Sequence, residues 1–283
     1  MKDILIDLKK LLSTTGEAPK PLSNYHLAWI AAVIIITITL VTLFSDASNK
    51  TTRVIIATIW ILMLVFEIIK QIHCSLYVSG DQITWSYSWG AFPYQFCATP
   101  LYVLPFAAFS RDGWHRRTAI VFLSSFAIIG GLAIFIFPNS VLSGNKFVDF
   151  QSMFHHGIQI FLGVYLASRY RNLLTNEHFK GATIAFLFMA YLAILLNVAF
   201  SKIFTTLGGC HTFNMFFLSP YERYVPPALE DAGIEALPYP VFLIGYLSLF
   251  ILVAYALMKA LKLTTDKINY EKLQSITKIC KRG

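Results

Sequence analysis

The sequence predicts an all-α polytopic membrane protein: a bundle of about seven transmembrane helices preceded by an N-terminal interfacial helix. Of its 283 residues, 56% are hydrophobic and only 13% are charged, and the mean hydropathy is +0.61. A soluble domain needs far fewer apolar residues than this. The basic residues flank apolar stretches instead of forming one patch, so we predict no nucleic-acid partner.

The N-terminal segment, residues 1–25, is predicted to be amphipathic. Its apolar residues recur at helical spacing and its lysines fall on other faces, a pattern typical of a helix that lies at a membrane surface. No small-residue cleavage site follows at the distance expected of a signal peptide. The apolar positions are Ile4, Leu5, Leu8, Leu11 and Leu12.

Seven apolar stretches follow, each close to the roughly 20 residues that about 30 Å of hydrocarbon requires. Together they form a predicted transmembrane domain over residues 26–260, with a basic tail at 261–283. The longest connection, 205–237, is partly apolar and is predicted to re-enter the protein. The predicted spans are 26–45, 53–75, 91–109, 118–137, 148–169, 182–204 and 238–260.

The distribution of lysine and arginine predicts the orientation. Loops one, three and five and the C-terminal tail carry most of these residues, and basic loops stay in the cytoplasm. We therefore expect a cell-membrane protein with its C-terminus in the cytoplasm and its N-terminus outside.

The stretch Phe92–Pro105, FPYQFCATPLYVLP, is unlike lipid-facing sequence because it carries interior prolines, a glutamine and a cysteine. Pro93 suits the first turn of a helix, and Pro100 is expected to leave the carbonyl of Phe96 without its amide partner. The helix should bend beside Cys97. A thiol at such a position is either a small buried hydrophobe or a nucleophile.

Other polar residues are predicted at the depth and on the side of Cys97. Gln151, His155 and Gln159 form an i, i+4, i+8 stripe, with His156 beside it. Asn197 lies at a similar depth in the sixth span. Ionisable groups inside a membrane usually face a bundle interior or a wet cavity and indicate function, although interhelical hydrogen bonding is the alternative here.

A cysteine and a histidine brought together would support nucleophilic catalysis. The imidazole takes the thiol proton, and the thiolate attacks an acyl carbonyl to give a thioester. The pattern shows no paired metal-ligating histidines, so we predict no metal and no cofactor. A transport pathway, with Cys97 in a packing role, is the non-enzymatic alternative. Candidate supporting residues are Gln159, Asn197, Gln95 and Asn139, with Glu67 as the acid at a compatible depth.

The motifs FPYQFC, FIFPNS, FHHG, LLNVAF, FNMFFLSP and PYPVF, in this order, resemble the YwaF-like bacterial membrane proteins and the transmembrane protein 164 family. The likeness covers about residues 60–260 and extends, more distantly, to the androgen-induced-gene membrane lipid hydrolases. It implies a membrane acyltransferase acting on phospholipids, with Cys97 as nucleophile, His155 as base and His156 as a further participant. A hydrolase would use the same dyad. A tyrosine usually follows the asparagine at Asn214, where this chain has methionine.

Overall fold

The computed structural model describes residues 2–80, 82–206, 213–222 and 236–280, and this part of the chain is almost entirely helical. The one sheet found there is an antiparallel hairpin of β1 (Leu76–Ser79) and β2 (Gln82–Trp85). The helices are α1 (Lys2–Leu12), α2 (Asn24–Phe44), α3 (Asn49–Ser75), α4 (Thr99–Phe109), α5 (Trp114–Leu123), α6 (Phe126–Ile136), α7 (Lys146–Arg169), α8 (Asn176–Thr206) and α9 (Tyr239–Cys280).

Five segments are long and apolar enough to cross a membrane, and they correspond to five of the seven predicted spans. The chain is therefore a multi-pass membrane protein. Predicted span 91–109 is a shorter apolar helix, Phe96–Phe109, and predicted span 148–169 is the polar helix α7. The five segments are Asn24–Phe44, Asn49–Ser75, Trp114–Ile136, Asn176–Phe204 and Tyr239–Ile268.

Polar side chains cap the N-terminal ends of α2, α3 and α7. Ser23, Ser48 and Asn145 precede α2, α3 and α7, and each accepts a hydrogen bond from a backbone N–H in the first turn. Such caps satisfy amides that have no partner within the helix. These caps therefore fix where each of the three helices begins.

The segment predicted as a single span at 118–137 is two helices, α5 and α6, separated at Ser124 and Ser125. The hydroxyl of Ser125 donates to the carbonyl oxygen of Val121 at 2.6 Å, and its backbone leaves the helical region with φ −134° and ψ −73°. Serine side chains compete for backbone carbonyls in this way and bend helices. After the break, α6 packs against α7, and its two glycines lie at that contact.

Helix α7 occupies the middle of the bundle and packs against α2, α3, α5, α6 and α9. This explains how a helix with so many polar residues is accommodated: its polar stripe faces other helices, not lipid. The buried polar residues of α7 are Asp149, Gln151, Ser152, His155, His156 and Gln159.

The N-terminal segment forms the predicted helix, α1, and is attached to the bundle. Lys9 Nζ donates to the carbonyl oxygen of His73 at 2.5 Å, and Asn145 Nδ2 donates to that of Leu12 at 3.0 Å. Ile4 and Leu11 remain about 70% exposed. The N-terminus, the end of α3 and the start of α7 therefore meet on one side of the bundle, and apolar side chains of α1 face outward there.

On the opposite side, arginines predicted to lie in loops hold the end of α4. Arg116 is buried and donates through Nε to the carbonyl oxygen of Ala107 at 3.1 Å. Arg53 donates to the carbonyl oxygens of Ala108 and Ser110, both at 2.7 Å. These carbonyls lack partners within the short helix, and cationic groups there also complement its dipole. The last helix, α9, runs through much of the predicted tail to Cys280.

Candidate functional site

The Cys97 turn, residues 95–100, is a 3₁₀ turn that leads into α4. The predicted break differs in detail: Pro93 lies outside the helices, and Pro100 is in the first turn of α4. The carbonyl of Phe96 does have partners, the backbone N–H of Thr99 and its hydroxyl at 2.8 Å. The hydroxyl of Thr99 therefore donates a hydrogen bond to the Phe96 carbonyl, which the sequence predicted to lack a partner.

The carbonyl oxygen of Cys97 is the group that turns toward α7. In a 3₁₀ turn its partner would be the N–H of Pro100, and proline has none. Instead the carbonyl oxygen lies 2.8 Å from Nε2 of His155 and 2.9 Å from the donating Nε2 of Gln159. Two side chains of the polar stripe thus hold the main chain of Cys97, while its side chain remains half-buried.

These contacts identify the proton positions on His155. A carbonyl oxygen only accepts, so Nε2 carries the hydrogen, and in a neutral ring Nδ1 then carries the lone pair. That Nδ1 is buried and has no partner among the described residues. His155 therefore presents a free basic nitrogen while its other nitrogen anchors the Cys97 turn.

Two glycines of α6 allow this close approach. A Cβ atom built on Gly130 would lie 2.7 Å from Oε1 of Gln159 and 3.3 Å from Cα of Cys97. One built on Gly131 would lie 2.7 Å from the carbonyl oxygen of His156. Our sequence analysis missed both residues. The adjacent pair of glycines within an apolar span is the signal for a close helix contact.

Replacing Gly131 by alanine is expected to destabilise the protein by about 1–3 kcal/mol, because the new methyl group meets a backbone oxygen that moves only with α7. Gly245→Ala in α9 is the matched control. Nothing lies within 4 Å of a Cβ at Gly245, so helix propensity alone should leave that variant equal or more stable. Unfolding in detergent measures both, and equal stability of the two variants would contradict the proposed close contact.

Glu67 belongs to a paired network beside the site. Its carboxylate lies 2.8 Å from Nζ of Lys70 and accepts from Nε2 of Gln71 at 2.6 Å, and Gln71 in turn accepts from the hydroxyl of Tyr87 at 2.8 Å. Burial first, and then the charge of Glu67, raises the pKa of Tyr87, which keeps that hydroxyl protonated.

Asn197 and Gln95 hold a partly buried segment, residues 213–222, whose only helical part is a distorted 3₁₀ turn at Met215–Phe217. Asn197 accepts from the N–H of Met215 at 2.6 Å and donates to its carbonyl at 3.0 Å. Gln95 donates to the carbonyl of Asn214 and accepts from the N–H of Phe216, both at 3.0 Å. Backbone without regular structure is tolerated at membrane depth where the protein satisfies it, as these two amides do.

The same segment contains two left-handed residues, Phe216 with φ 57° and Phe217 with φ 56°. This conformation costs a non-glycine residue about 1–2 kcal/mol, so surrounding contacts must stabilise it. The hydroxyl of Tyr246 donates to the carbonyl of Phe216 at 2.8 Å, and that of Tyr239 to the carbonyl of Leu218 at 2.9 Å. Of the connection predicted to re-enter at 205–237, residues 207–212 and 223–235 lie outside the described residues.

The remaining candidates are placed apart from Cys97. The side chain of Asn214 donates to the carbonyl of Glu222 and accepts from the N–H of Ser219, both at 2.9 Å. Asn139 is exposed in a 3₁₀ turn after α6. The structure thus brings His155 and Gln159 to Cys97, with the ring of His156 5.5 Å from that of His155, whereas the amides of Gln95, Asn197 and Asn214 are engaged with backbone.

The sequence model of the TMEM164 family matches residues 21–259 of the chain. No curated protein and no solved structure matches the chain.

Proposed function

Because the chain belongs to the TMEM164 family and is a multi-pass membrane protein, we propose that it is a membrane lipid acyltransferase. In this proposal a fatty acyl chain moves between phospholipids through a thioester on Cys97, with His155 as the base. The observation that carries it is the direct contact of His155 with the main chain of Cys97, which leaves on the same ring a buried Nδ1 without a partner among the described residues.

The position of the thiol supports nucleophilic attack. Helix α4 begins directly after the turn, so Cys97 lies at the N-terminal end of α4. Amides at the start of a helix stabilise a thiolate, and the thiolate is the reactive form of cysteine.

Cys97, His155 and Gln159 each have a role in the first half-reaction, the formation of the thioester. Nδ1 of His155 takes the thiol proton, and the sulfur forms a bond to the acyl carbonyl carbon of the donor lipid. The ester C–O bond then breaks, and the imidazolium returns the proton to the leaving alkoxide. Gln159 keeps the Cys97 carbonyl in place through its own donated hydrogen bond. The products are a Cys97 thioester and a lysolipid.

The proposal also includes the location of the site. With the C-terminus in the cytoplasm of the cell, the charge distribution places the Cys97 turn toward the outer half of the cell membrane. Phospholipids of that half would then be the substrates.

Trapping the acyl-enzyme tests this function. Purified protein in phospholipid nanodiscs that contain a phospholipid with a radiolabelled acyl chain is expected to acquire bound label, which neutral hydroxylamine releases because it cleaves thioesters. Cys74→Ala is the matched control, since Cys74 is the other free, half-buried cysteine of the described residues. Label should persist in Cys74→Ala and be absent from Cys97→Ala.

The products separate transfer from hydrolysis. Label that passes to an added lysophospholipid supports the acyltransferase, and label that appears only as free fatty acid identifies a hydrolase with the same dyad. Absence of bound label from the wild-type protein would overturn the enzymatic proposal and leave the transport alternative.

A further inference from the structure

An open apolar pocket lies between α2, α3 and α7. Its empty volume is about 160 Å³, which includes space open to the surroundings of the protein. Tyr165 is buried and the other lining side chains are half-buried, so the pocket opens outward. The hydroxyl of Tyr165 is hydrogen-bonded to that of Thr52 at 3.0 Å, which leaves apolar surface toward the pocket. The lining residues are Leu40, Phe44, Ile55, Phe161 and Tyr165.

The pocket faces lipid because of how α2 packs. A Cβ atom built on Gly157 of α7 would lie 2.7 Å from Cγ2 of Val33, so the two helices are in close contact there. Leu40 and Phe161 lie about two turns and about one turn further along their helices. The buried residues of α2 are His26 and Val33, so its second half lies at the surface of the bundle. At this depth the solvent is hydrocarbon, and a lipid acyl chain fills an open apolar groove.

Arg169 lies at the end of the bundle next to this pocket. It follows Tyr165 by one turn, and its Nε donates to the carbonyl oxygen of Ala47, in the loop after α2, at 2.9 Å. Its guanidinium lies 5.3 Å from the ring centroid of Tyr170, whose hydroxyl donates to Oδ1 of Asn49 at the start of α3 at 3.1 Å. The ends of the three helices that line the pocket therefore meet at Arg169.

The guanidinium of Arg169 suits a phosphate group. Its Nε is engaged with the main chain, which holds the side chain in place. Arg169 has no ion pair with a carboxylate among the side chains that the structure describes. A planar guanidinium bonds to two oxygens of one phosphate at once, and such bonds are stronger than neutral ones. Among the groups of a membrane lipid, the phosphate is thus the one that fits this position.

The surrounding charge selects among phospholipids. Residues 45–53, 110–117 and 169 carry six cations and two carboxylates, so this end of the bundle is basic. A headgroup with net negative charge is attracted there, whereas the ammonium group of a zwitterionic lipid is repelled. The cations are Lys50, Arg53, Arg111, Arg116, Arg117 and Arg169, and the carboxylates are Asp46 and Asp112.

We propose that the pocket between α2, α3 and α7 binds one acyl chain of an anionic glycerophospholipid, whose phosphate is held by Arg169. This site is distinct from the Cys97 turn. Arg169 follows His155 by 14 residues on α7, or about 21 Å at 1.5 Å per residue. The inference does not depend on chemistry at Cys97, and the bound lipid is a structural ligand that joins the ends of three helices.

Native mass spectrometry of the purified, delipidated protein in detergent micelles tests the proposal. The Kd of the first bound lipid is measured for phosphatidylglycerol and for phosphatidylcholine with the same acyl chains. We expect wild type to bind phosphatidylglycerol about tenfold more tightly, the equivalent of one favourable charge contact. Glycerol 3-phosphate, which carries the phosphate without acyl chains, should not compete with it.

Two variants test the two parts of the site. Arg169→Gln keeps an amide that can donate to Ala47 and should weaken phosphatidylglycerol about tenfold, so that both lipids bind alike. Its matched control is Arg171→Gln, two residues away, because Arg171 is already 3.6 Å from a carboxylate oxygen of Asp266. That control should keep the wild-type preference.

Leu40→Trp fills the pocket and should weaken both lipids about tenfold, the equivalent of roughly two methylenes left unburied. The matched control is Leu43→Trp, since Leu43 is on the same helix, is 70% exposed and does not line the pocket. It should bind both lipids as wild type does. Ile55→Trp fills the pocket from α3 and has the same expected result, should the Leu40 variant not fold.

Equal affinity of wild type for the two lipids would overturn the proposal, as would an unchanged preference in Arg169→Gln. Wild-type binding by both pocket-filling variants would show that no acyl chain occupies the pocket. Competition by glycerol 3-phosphate at the concentration of the lipid would identify a site for a soluble phosphate instead. None of these outcomes bears on acyl-enzyme formation, so the two proposals fail separately.

Discussion

Replacing Cys97 by alanine is expected to lower the rate of acyl transfer between phospholipids at least about 10³-fold. Removal of a nucleophile abolishes the covalent route altogether, and losses of this order or larger are usual. The rate is measured as labelled phospholipid formed from a labelled donor and an unlabelled lysophospholipid. Cys97→Ser, which keeps the size of the side chain, should lose nearly as much, because an unactivated hydroxyl is a much weaker nucleophile than a thiolate.

The control for this experiment is Cys74→Ala, which should transfer at the wild-type rate. Cys74 lies near the end of α3 and is half-buried, as Cys97 is, but neither histidine of the stripe bonds to its main chain. All three variants should unfold at similar temperatures, since each change is small. A Cys97→Ala protein that transfers normally would mean that the thiol only fills space at the bend.

Replacing Asn197 by leucine is expected to destabilise the protein by about 1–3 kcal/mol, the cost of one buried polar group left without a partner. Leucine has a similar size but leaves the N–H of Met215 buried without a partner, whereas the carbonyl of Met215 still accepts from the backbone N–H of Leu218 at 3.1 Å. Asn197 is fully buried, so water cannot replace the lost contacts. The free energy of unfolding in detergent measures the effect.

Asn139→Leu is the matched control, because Asn139 is exposed and its replacement should change stability by no more than about 0.5 kcal/mol. A loss below about 1 kcal/mol for Asn197→Leu would show that the 213–222 segment does not depend on this amide. Since Gln95 holds the same segment and precedes Cys97 by two residues, the leucine variant is also expected to lose activity.

The interior amides illustrate why residue type alone was insufficient at the site. Gln95, Asn197 and Gln159 were all candidates for stabilising an oxyanion. A glutamine or asparagine at membrane depth needs partners, and this need is predictable, but whether the partner is a substrate or a backbone depends on where a distant segment lies. Gln95 and Phe216, for example, are 121 residues apart in the chain.

Gly130 and Gly131 show a second kind of contact that the sequence alone did not predict. Gly130 and Gly131 count only as small apolar residues in a hydropathy profile, yet they determine how closely α6 approaches the polar stripe. Their effect depends on which helix lies opposite and how closely it packs, and here α7 lies opposite, with the carbonyl oxygen of His156 against Gly131. Neither can be derived from the period of a single helix.

The sequence by itself determined the class of protein, the positions of the apolar helices and the shared depth of Cys97, His155 and His156. These follow from hydropathy, helical rise and chain order, which are local properties. Only the tertiary structure decided that His155 and Gln159 both bond to the carbonyl of Cys97. Hydrogen bonds depend on distance and direction between groups 58 residues apart, which packing fixes and sequence spacing does not.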